Sequence, residues 1–309
     1  MERKVILIVG PTCSGKTRVS VDLAKRISSE IISADSRQIY KHLNIGTAKP
    51  DSAELASVKH HLIDFLEPEQ DYNVSRFEND SLRIINEILS KGKIPVVVGG
   101  SGLYIHALVD GIFNEVDTDE EFRLELKEKR EKFGNNYLYD ELEKIDPVSA
   151  SKMLSQNWKR VMRSLEVIHL TGKPIWQLQK DYKRETDINF VQFGLDWHRA
   201  DLYNNINSRV DRMIEIGLVE ETRKILDSGI PRTANSLNTV GYKEIISFLE
   251  NEITLDRAVE LIKRNTRRYA KRQMTWFRKD SRIKWIRIES NEDLLNVPEI
   301  IIRQISNLN

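Results

Sequence analysis

With 309 residues, the chain can bury a substantial core, as one large domain with an elaboration or as two domains of ordinary size. Its 48 Lys and Arg against 47 Asp and Glu give a formal charge of +1, so net charge selects no partner. Cys13 is the only cysteine, which excludes an intramolecular disulfide and an all-cysteine metal cluster and suits a reducing compartment.

In chain order, Val5 to Val9 is a continuous, β-branched apolar run of the kind found in a buried parallel strand. It is too short for a signal or membrane segment, so a cytoplasmic protein without a membrane span is expected. After a glycine-rich loop, Val19, Leu23 and Ile27 recur at four-residue spacing, which predicts a helix with one buried face. Glu30 to Ala34 reads as a short strand ending at Asp35. Phe77 to Leu89 reads as a helix, and Ile94 to Val98 as a strand ending at Gly99-Gly100. Loops with small or polar residues at strand ends belong at the ligand-binding edge of an open α/β sheet. From about Asp117 to Lys180 the chain reads as short, highly charged helices, including Glu120 to Lys132 and Asn157 to Leu170. Asn189 to Leu195 returns to the sheet, and Leu202 to Ile216 is a helix.

The expected organisation is a core over 1–116, a helical insertion over 117–185, and a core completion with a basic helical region over 186–309. From Arg257 to Lys284, eleven basic residues face Glu260 and Asp280, a net of +9 in 28 positions. In the helix Arg257 to Gln273, Ala258, Ile262 and Tyr269 fall broadly on one side. Arg257, Arg264, Arg268 and Lys271 fall on another, as if one face packs while the other meets polyanion. The tail beyond Ile283, with Trp285, Ile286 and a helix after Asn291, reads as structural.

Gly10-Pro11-Thr12-Cys13-Ser14-Gly15-Lys16-Thr17 matches the phosphate-loop pattern, and both its flanks have the strand and helix that pattern requires. Its backbone amides and the following helix end would cradle phosphate. Lys16 would neutralise phosphate oxygens, and Thr17 would offer a hydroxyl to magnesium. Cys13 reads as a space-filling loop member, since no base or ligand cluster accompanies it. The loop leaves the transferred group unspecified, because a diphosphate leaving group uses the same amides and cation as a hydrolysed nucleotide. Asp35 at a strand end can accept a proton, coordinate a metal through water or cap a turn, and Gln38 can bond a base edge. His60 and His61 read as turn or packing residues, with no third and fourth ligand spaced for a metal.

Taken together, several segments resemble the tRNA dimethylallyltransferases, also called tRNA isopentenyltransferases. They are the phosphate loop, Ala34-Asp35-Ser36-Arg37-Gln38-Ile39-Tyr40, Asn44-Ile45-Gly46-Thr47-Ala48-Lys49-Pro50 and His60-His61-Leu62-Ile63-Asp64. Further along come Val98-Gly99-Gly100-Ser101-Gly102-Leu103-Tyr104, Arg163-Ser164-Leu165-Glu166-Val167, Thr239-Val240-Gly241-Tyr242 and Lys271-Arg272-Gln273-Met274-Thr275-Trp276-Phe277-Arg278. These islands run in the family's order over nearly the whole chain. The resemblance implies an α/β phosphate-loop NTPase-like parallel-sheet core with a helical insertion domain. It also implies magnesium-dependent transfer of a dimethylallyl group from dimethylallyl diphosphate to N6 of the adenine just 3′ of a tRNA anticodon.

By that resemblance, Asp35 is the general base or orienting acceptor for the adenine amine, Arg209 acts at the diphosphate, and Ser101 is the third catalytic residue. Gly10, Thr12, Cys13, Ser14, Gly15, Lys16 and Thr17 hold the diphosphate, Thr17 through magnesium. The tRNA anticodon stem-loop is met by Asp35, Ser36, Arg37, Gln38, Ser101 and Arg123, by Gln156, Asn157, Trp158, Lys159 and Arg160, and by Arg268, Lys271, Arg272 and Gln273. Apart from the resemblance, Arg209 reads as a solvated helix residue. Ser101 stands where many relatives have Thr and keeps the hydroxyl. Gln156-Asn157-Trp158 stands where many have Asn-Asp-Pro, and Trp158 can stack on a base or pack. A monomer is expected. Two other functions fit parts of the pattern. A prenyltransferase acting on free adenine nucleotides would use the same donor loop, and an RNA-binding NTPase would leave the combined Asp35, Ser101 and Arg209 motifs unexplained.

Overall fold

The computed structural model describes residues 3–112, 116–182, 184 and 186–306. In chain order the elements are β1 (Arg3–Val9), α1 (Lys16–Arg26), β2 (Ile31–Ser33), α2 (Ser52–Ser57), β3 (His60–His61), α3 (Val74–Ser90), β4 (Val96–Gly99) and α4 (Gly102–Asp110). Five helices follow: α5 (Glu120–Phe133), α6 (Asn135–Ile145), α7 (Pro147–Ala150), α8 (Trp158–Thr171) and α9 (Ile175–Asp181). The chain then forms β5 (Ile188–Trp197), α10 (Arg199–Glu215), α11 (Leu218–Asp227), α12 (Tyr242–Leu249), α13 (Leu255–Phe277), β6 (Lys284–Ile288) and α14 (Val297–Ser306).

The six strands form one sheet in the order β3-β2-β4-β1-β5-β6, and every pairing is parallel. Residue alternation divides the core between the two faces of this sheet. Val5, Leu7, Val9, Ile32 and Val97 join one apolar cluster, while Ile6, Ile8, Ile31 and Val96 join the other. A central strand covered on both faces therefore needs apolar residues at nearly every position, which is why β1 and β4 read as apolar runs. On one face α1 and α14 supply Val19, Leu23, Val297 and Ile301. On the other, α3 and α4 supply Phe77, Ile85 and Leu108. Because all strands run the same way, the residues after β1, β2 and β4 emerge at a single edge, so Gly10, Asp35 and Ser101 are neighbours despite their distance in sequence.

Two segments differ from the sequence expectation. His60–His61 is a two-residue strand paired with Ile31 and Ile32, too short and polar to register as a pattern. Lys284–Ile288 is the edge strand β6, paired with Phe193–Trp197 of β5.

The chain divides into two compact units, Met1–Val109 with Thr186–Asn309, and Asp110–Glu185. The second has its own core, with Leu126, Leu138, Leu142, Ala150, Val161, Met162 and Leu165 at its centre. Its first helix shows why that sequence is helical. The Asp119 side chain accepts from the Phe122 amide, Glu120 and Glu121 occupy the first turn, Arg130 and Lys132 the last, and Gly134 at φ 85° ends it. Among the described residues, no helix is long and apolar enough to cross a membrane.

Candidate active site

The phosphate loop leaves β1 at Val9 and enters α1 at Lys16. Gly15 takes φ 87° at the helix start and provides no side-chain cap, so the first amides of α1 remain available to an anion. Cys13 holds the left-handed conformation at φ 64° and is buried, as a loop member. The Trp197 indole donates to the Ser14 carbonyl at 3.0 Å, pinning the loop to the end of β5. The fully buried Ser14 Oγ has no protein partner and lines the cavity. Lys16 Nζ donates to the Pro11 carbonyl at 2.6 Å. Burial first, then repulsion from Arg209, lowers the Lys16 ammonium to about 8, outweighing the attraction of Asp35.

These residues wall a cavity of about 270 Å³ that also reaches Asp35, Gln38, Arg209, Tyr269 and Gln273. Arg209 on α10 is half-buried and donates through Nη1 to Thr12 Oγ1 at 3.3 Å, so it faces the loop rather than solvent. Thr17 is on the same wall. Among the described residues, no cluster of three or more His, Cys, Asp or Glu could hold a metal. One hydroxyl beside a phosphate cradle fits magnesium, which typically arrives with phosphate oxygens and water as most of its ligands.

Asp35 follows β2 by two residues. Its Oδ1 accepts from the amides of Arg37 at 2.8 Å and Gln38 at 3.4 Å, a turn closed by the carboxylate itself. That leaves Oδ2 for a ligand. Ser101 Oγ accepts from the Ser36 amide at 3.1 Å, tying the loop after β4 to the turn and keeping the hydroxyl proton free to donate. A second cavity, about 330 Å³, adjoins the first and shares Thr12, Asp35, Thr47, Ala48, Arg209 and Tyr269 with it. Its remaining wall includes Val210, Met213, Val240 and Ile262 with Lys243 and Arg272.

Three of the residues expected to meet RNA also make bonds within the protein. The Gln38 amide nitrogen donates to the carbonyls of Thr47 at 3.3 Å and Ala48 at 3.0 Å, and its oxygen accepts from Ser33 Oγ at 3.3 Å, so both ends of the amide are engaged within the protein. Gln273 is only 6% exposed and bonds backbone on both sides of its amide. In the second unit, Arg123 Nε lies 2.7 Å from Glu166, whose side chain is 0% exposed. Burial pushes the Glu166 carboxyl up, but bonds from Arg163, the Asp119 amide and Arg123 outweigh it and hold the group below its ordinary value.

The other expected contacts vary in exposure. Arg268, Lys271 and Arg272 are exposed on α13, and Gln156, Asn157, Lys159 and Arg160 are exposed at the start of α8. Asn157 Oδ1 accepts from the Leu154 amide at 3.0 Å. Trp158 packs on the core of the second unit, with the Arg130 guanidinium 4.0 Å from its ring centroid, so that face is covered. Arg37 Nη1 donates to the Asn235 carbonyl at 2.7 Å. His61 bonds Glu30 at 2.7 Å, and His60 Nδ1 lies 2.8 Å from the Val58 carbonyl.

Tyr269 was not foreseen as a site residue, since helical phase alone placed it on the packing face. It lines both cavities, and burial, then the Asp35 charge, pushes its phenol up to about 12.

The family model described as IPP transferase matches residues 38–280. The tRNA dimethylallyltransferase of Acetivibrio thermocellus is 46% identical over 303 residues, covering 97% of this chain and 96% of that protein. That of Carboxydothermus hydrogenoformans is 47% identical over 308 residues, covering 98% of each. Among solved structures, the full-length tRNA isopentenylpyrophosphate transferase from Bacillus halodurans superposes with a TM-score of 0.72 at 40% identity, over 99% of this chain and 97% of that one. A eukaryotic dimethylallyltransferase acting on tRNA gives a TM-score of 0.78 at 29% identity, over 93% of this chain and 74% of that one. A phosphate loop facing a strand-end carboxylate across a shared cavity wall, matched over nearly full length, places the chain in the tRNA dimethylallyltransferase family.

Proposed function

We propose that the protein transfers a dimethylallyl group from dimethylallyl diphosphate to N6 of the adenine immediately 3′ of the tRNA anticodon, releasing diphosphate. The observation that carries this is the meeting of two cavities at Asp35, Arg209 and Tyr269. A diphosphate ester held by the loop presents its C1 atom at that junction, and an adenine amine reaching Asp35 approaches it from beyond.

The exocyclic amine of adenine shares its lone pair with the ring and is a poor nucleophile. Asp35 Oδ2 accepts an N6 proton as the N6–C1 bond forms and the C1–O bond breaks. Charge then grows on the departing diphosphate. The amides at the start of α1, Lys16 and Arg209 stabilise it where it develops. Magnesium, held by Thr17 and the diphosphate oxygens, would supply further charge neutralisation. Ser101 holds the Asp35 turn through Ser36 and offers its hydroxyl to the acceptor nucleotide. The exposed Arg268, Lys271 and Arg272, with Lys159 and Arg160 on the second unit, bind RNA phosphates in a salt-dependent way without selecting sequence. The adenine must leave its stack to enter, at a cost of about a few kcal/mol.

The test offers purified protein dimethylallyl diphosphate and magnesium with unmodified tRNA, AMP, ADP or ATP in separate reactions, and measures prenylated adenosine by mass together with nucleotide hydrolysis. Adduct in tRNA alone is expected. Adduct only in free nucleotides would reassign the acceptor, and hydrolysis without adduct would remove the transferase activity.

A further inference from the structure

The basic helix α13 sends one buried side chain to both halves of the site. Gln273 Oε1 accepts from the Thr12 amide at 2.8 Å, and Nε2 donates to the Gly100 carbonyl at 2.9 Å. The fit at Gly100 is close, since a Cβ there would lie 2.2 Å from Gln273 Nε2. Thr12 is the residue whose hydroxyl receives Arg209, on the donor side. Gly100 precedes Ser101, whose hydroxyl receives the Ser36 amide beside Asp35, on the acceptor side. One planar amide thus bridges the phosphate loop and the loop that supports the proposed base. Its neighbours Lys271 and Arg272 are exposed on the same helix, Arg272 at the wall of the second cavity.

We infer that Gln273 is a positioning residue that couples RNA docking on α13 to the phosphate loop and the Asp35 turn. The coupling follows from geometry. A side-chain amide has fixed spacing between its donor and acceptor, and hydrogen bonds weaken steeply outside a few tenths of an ångström and poor angles. Both bonds are therefore satisfied only for a narrow range of α13 positions relative to the two loops. RNA that favours that helix position favours the loop arrangement that grips diphosphate, and by reciprocity diphosphate favours RNA. This rests on the proposed function and adds a link between its two substrates.

The test uses inorganic pyrophosphate with magnesium and an anticodon stem-loop RNA as probes. Each is titrated calorimetrically into the full chain alone and with the other present. In the wild type, each ligand is expected to tighten the other by about fivefold or more. In Gln273→Leu, which keeps the volume and loses both bonds, that factor falls to near one, read as a ratio within the variant so that any change in the separate affinities cancels. Gln273→Glu retains the acceptor for the Thr12 amide but has no donor for Gly100, so it loses coupling as well. It also serves if the Leu variant does not fold. A purely structural role would lower stability or the separate affinities and leave the coupling factor in place. Retained coupling in both variants, or a wild type that binds both ligands independently, overturns the inference. A wild type that binds neither ligand would instead remove the proposed function beneath it.

Discussion

Glu221 offers a perturbation whose size follows from four hydrogen bonds. Its carboxylate on α11 accepts from three consecutive amides, Asn44 at 3.1 Å, Ile45 at 2.9 Å and Gly46 at 3.2 Å, and from the Tyr242 hydroxyl at 2.6 Å. Tyr242 is fully buried, and its oxygen also accepts from the Gly46 amide at 3.1 Å. Burial, then the Glu221 charge, pushes the Tyr242 phenol well above its ordinary value, keeping the proton on the donor. The loop so anchored carries the Thr47 and Ala48 carbonyls that hold Gln38 against the Asp35 turn. Hydrogen bonds to a charged group contribute roughly 1.5–3 kcal/mol each. Glu221 is only partly buried, so water replaces part of that on truncation. Glu221→Ala is then expected to cost about 2–4 kcal/mol. Tyr242→Phe should cost about 1–2 kcal/mol, and the double mutant less than the sum by about 1.5 kcal/mol, because the two share a bond. Urea unfolding of the four proteins measures this, provided the slopes match. A loss below about 0.5 kcal/mol for Glu221→Ala, or strict additivity, would refute the clamp.

Lys16 makes the donor site pH-dependent. Because its free ammonium titrates at about 8, pyrophosphate affinity should be full below that pH and fall as pH rises through it, with proton uptake on binding above pH 8. The decline attributable to Lys16 is the difference between wild type and Lys16→Gln in calorimetry at several pH values, and parallel profiles would exclude it. In the second unit, Arg123→Ala should destabilise by about 2–4 kcal/mol, because the buried Glu166 keeps Arg163 but loses its other cationic partner. Arg160→Ala should leave stability unchanged and reduce the slope of log RNA affinity against log salt by about 1. The reverse pattern would return Arg123 to the RNA surface.

The sequence made the central strands and the phosphate loop readable because their signals are local. β1 and β4 are apolar at nearly every position, and the loop is a spaced motif between strand and helix. The site beyond the loop was readable only in part. Arg209 looks like any helical arginine, and only its family motif singled it out. Glu221 belongs to no motif considered. It resembles the exposed Glu220 beside it, yet it reaches residues 175 to 177 positions away. Gln273 and Thr12 are separated by 261 positions, so no local pattern could show that the glutamine turns inward from a basic helix. For Arg123 and Trp158, the family resemblance points to RNA, but a buried carboxylate and an overlying guanidinium also engage them. Polar side chains disclose a function only once their partners are known.

The most direct measurement is to react tRNA with dimethylallyl diphosphate and magnesium, digest it, and map the adduct by mass spectrometry for the wild type and Asp35→Asn. The wild type should prenylate N6 of the single adenine 3′ of the anticodon. Asp35→Asn should bind the RNA within about threefold of wild type yet transfer about 10²–10⁴-fold more slowly. An adduct at another position, or Asp35→Asn turning over at the wild-type rate, would contradict the account.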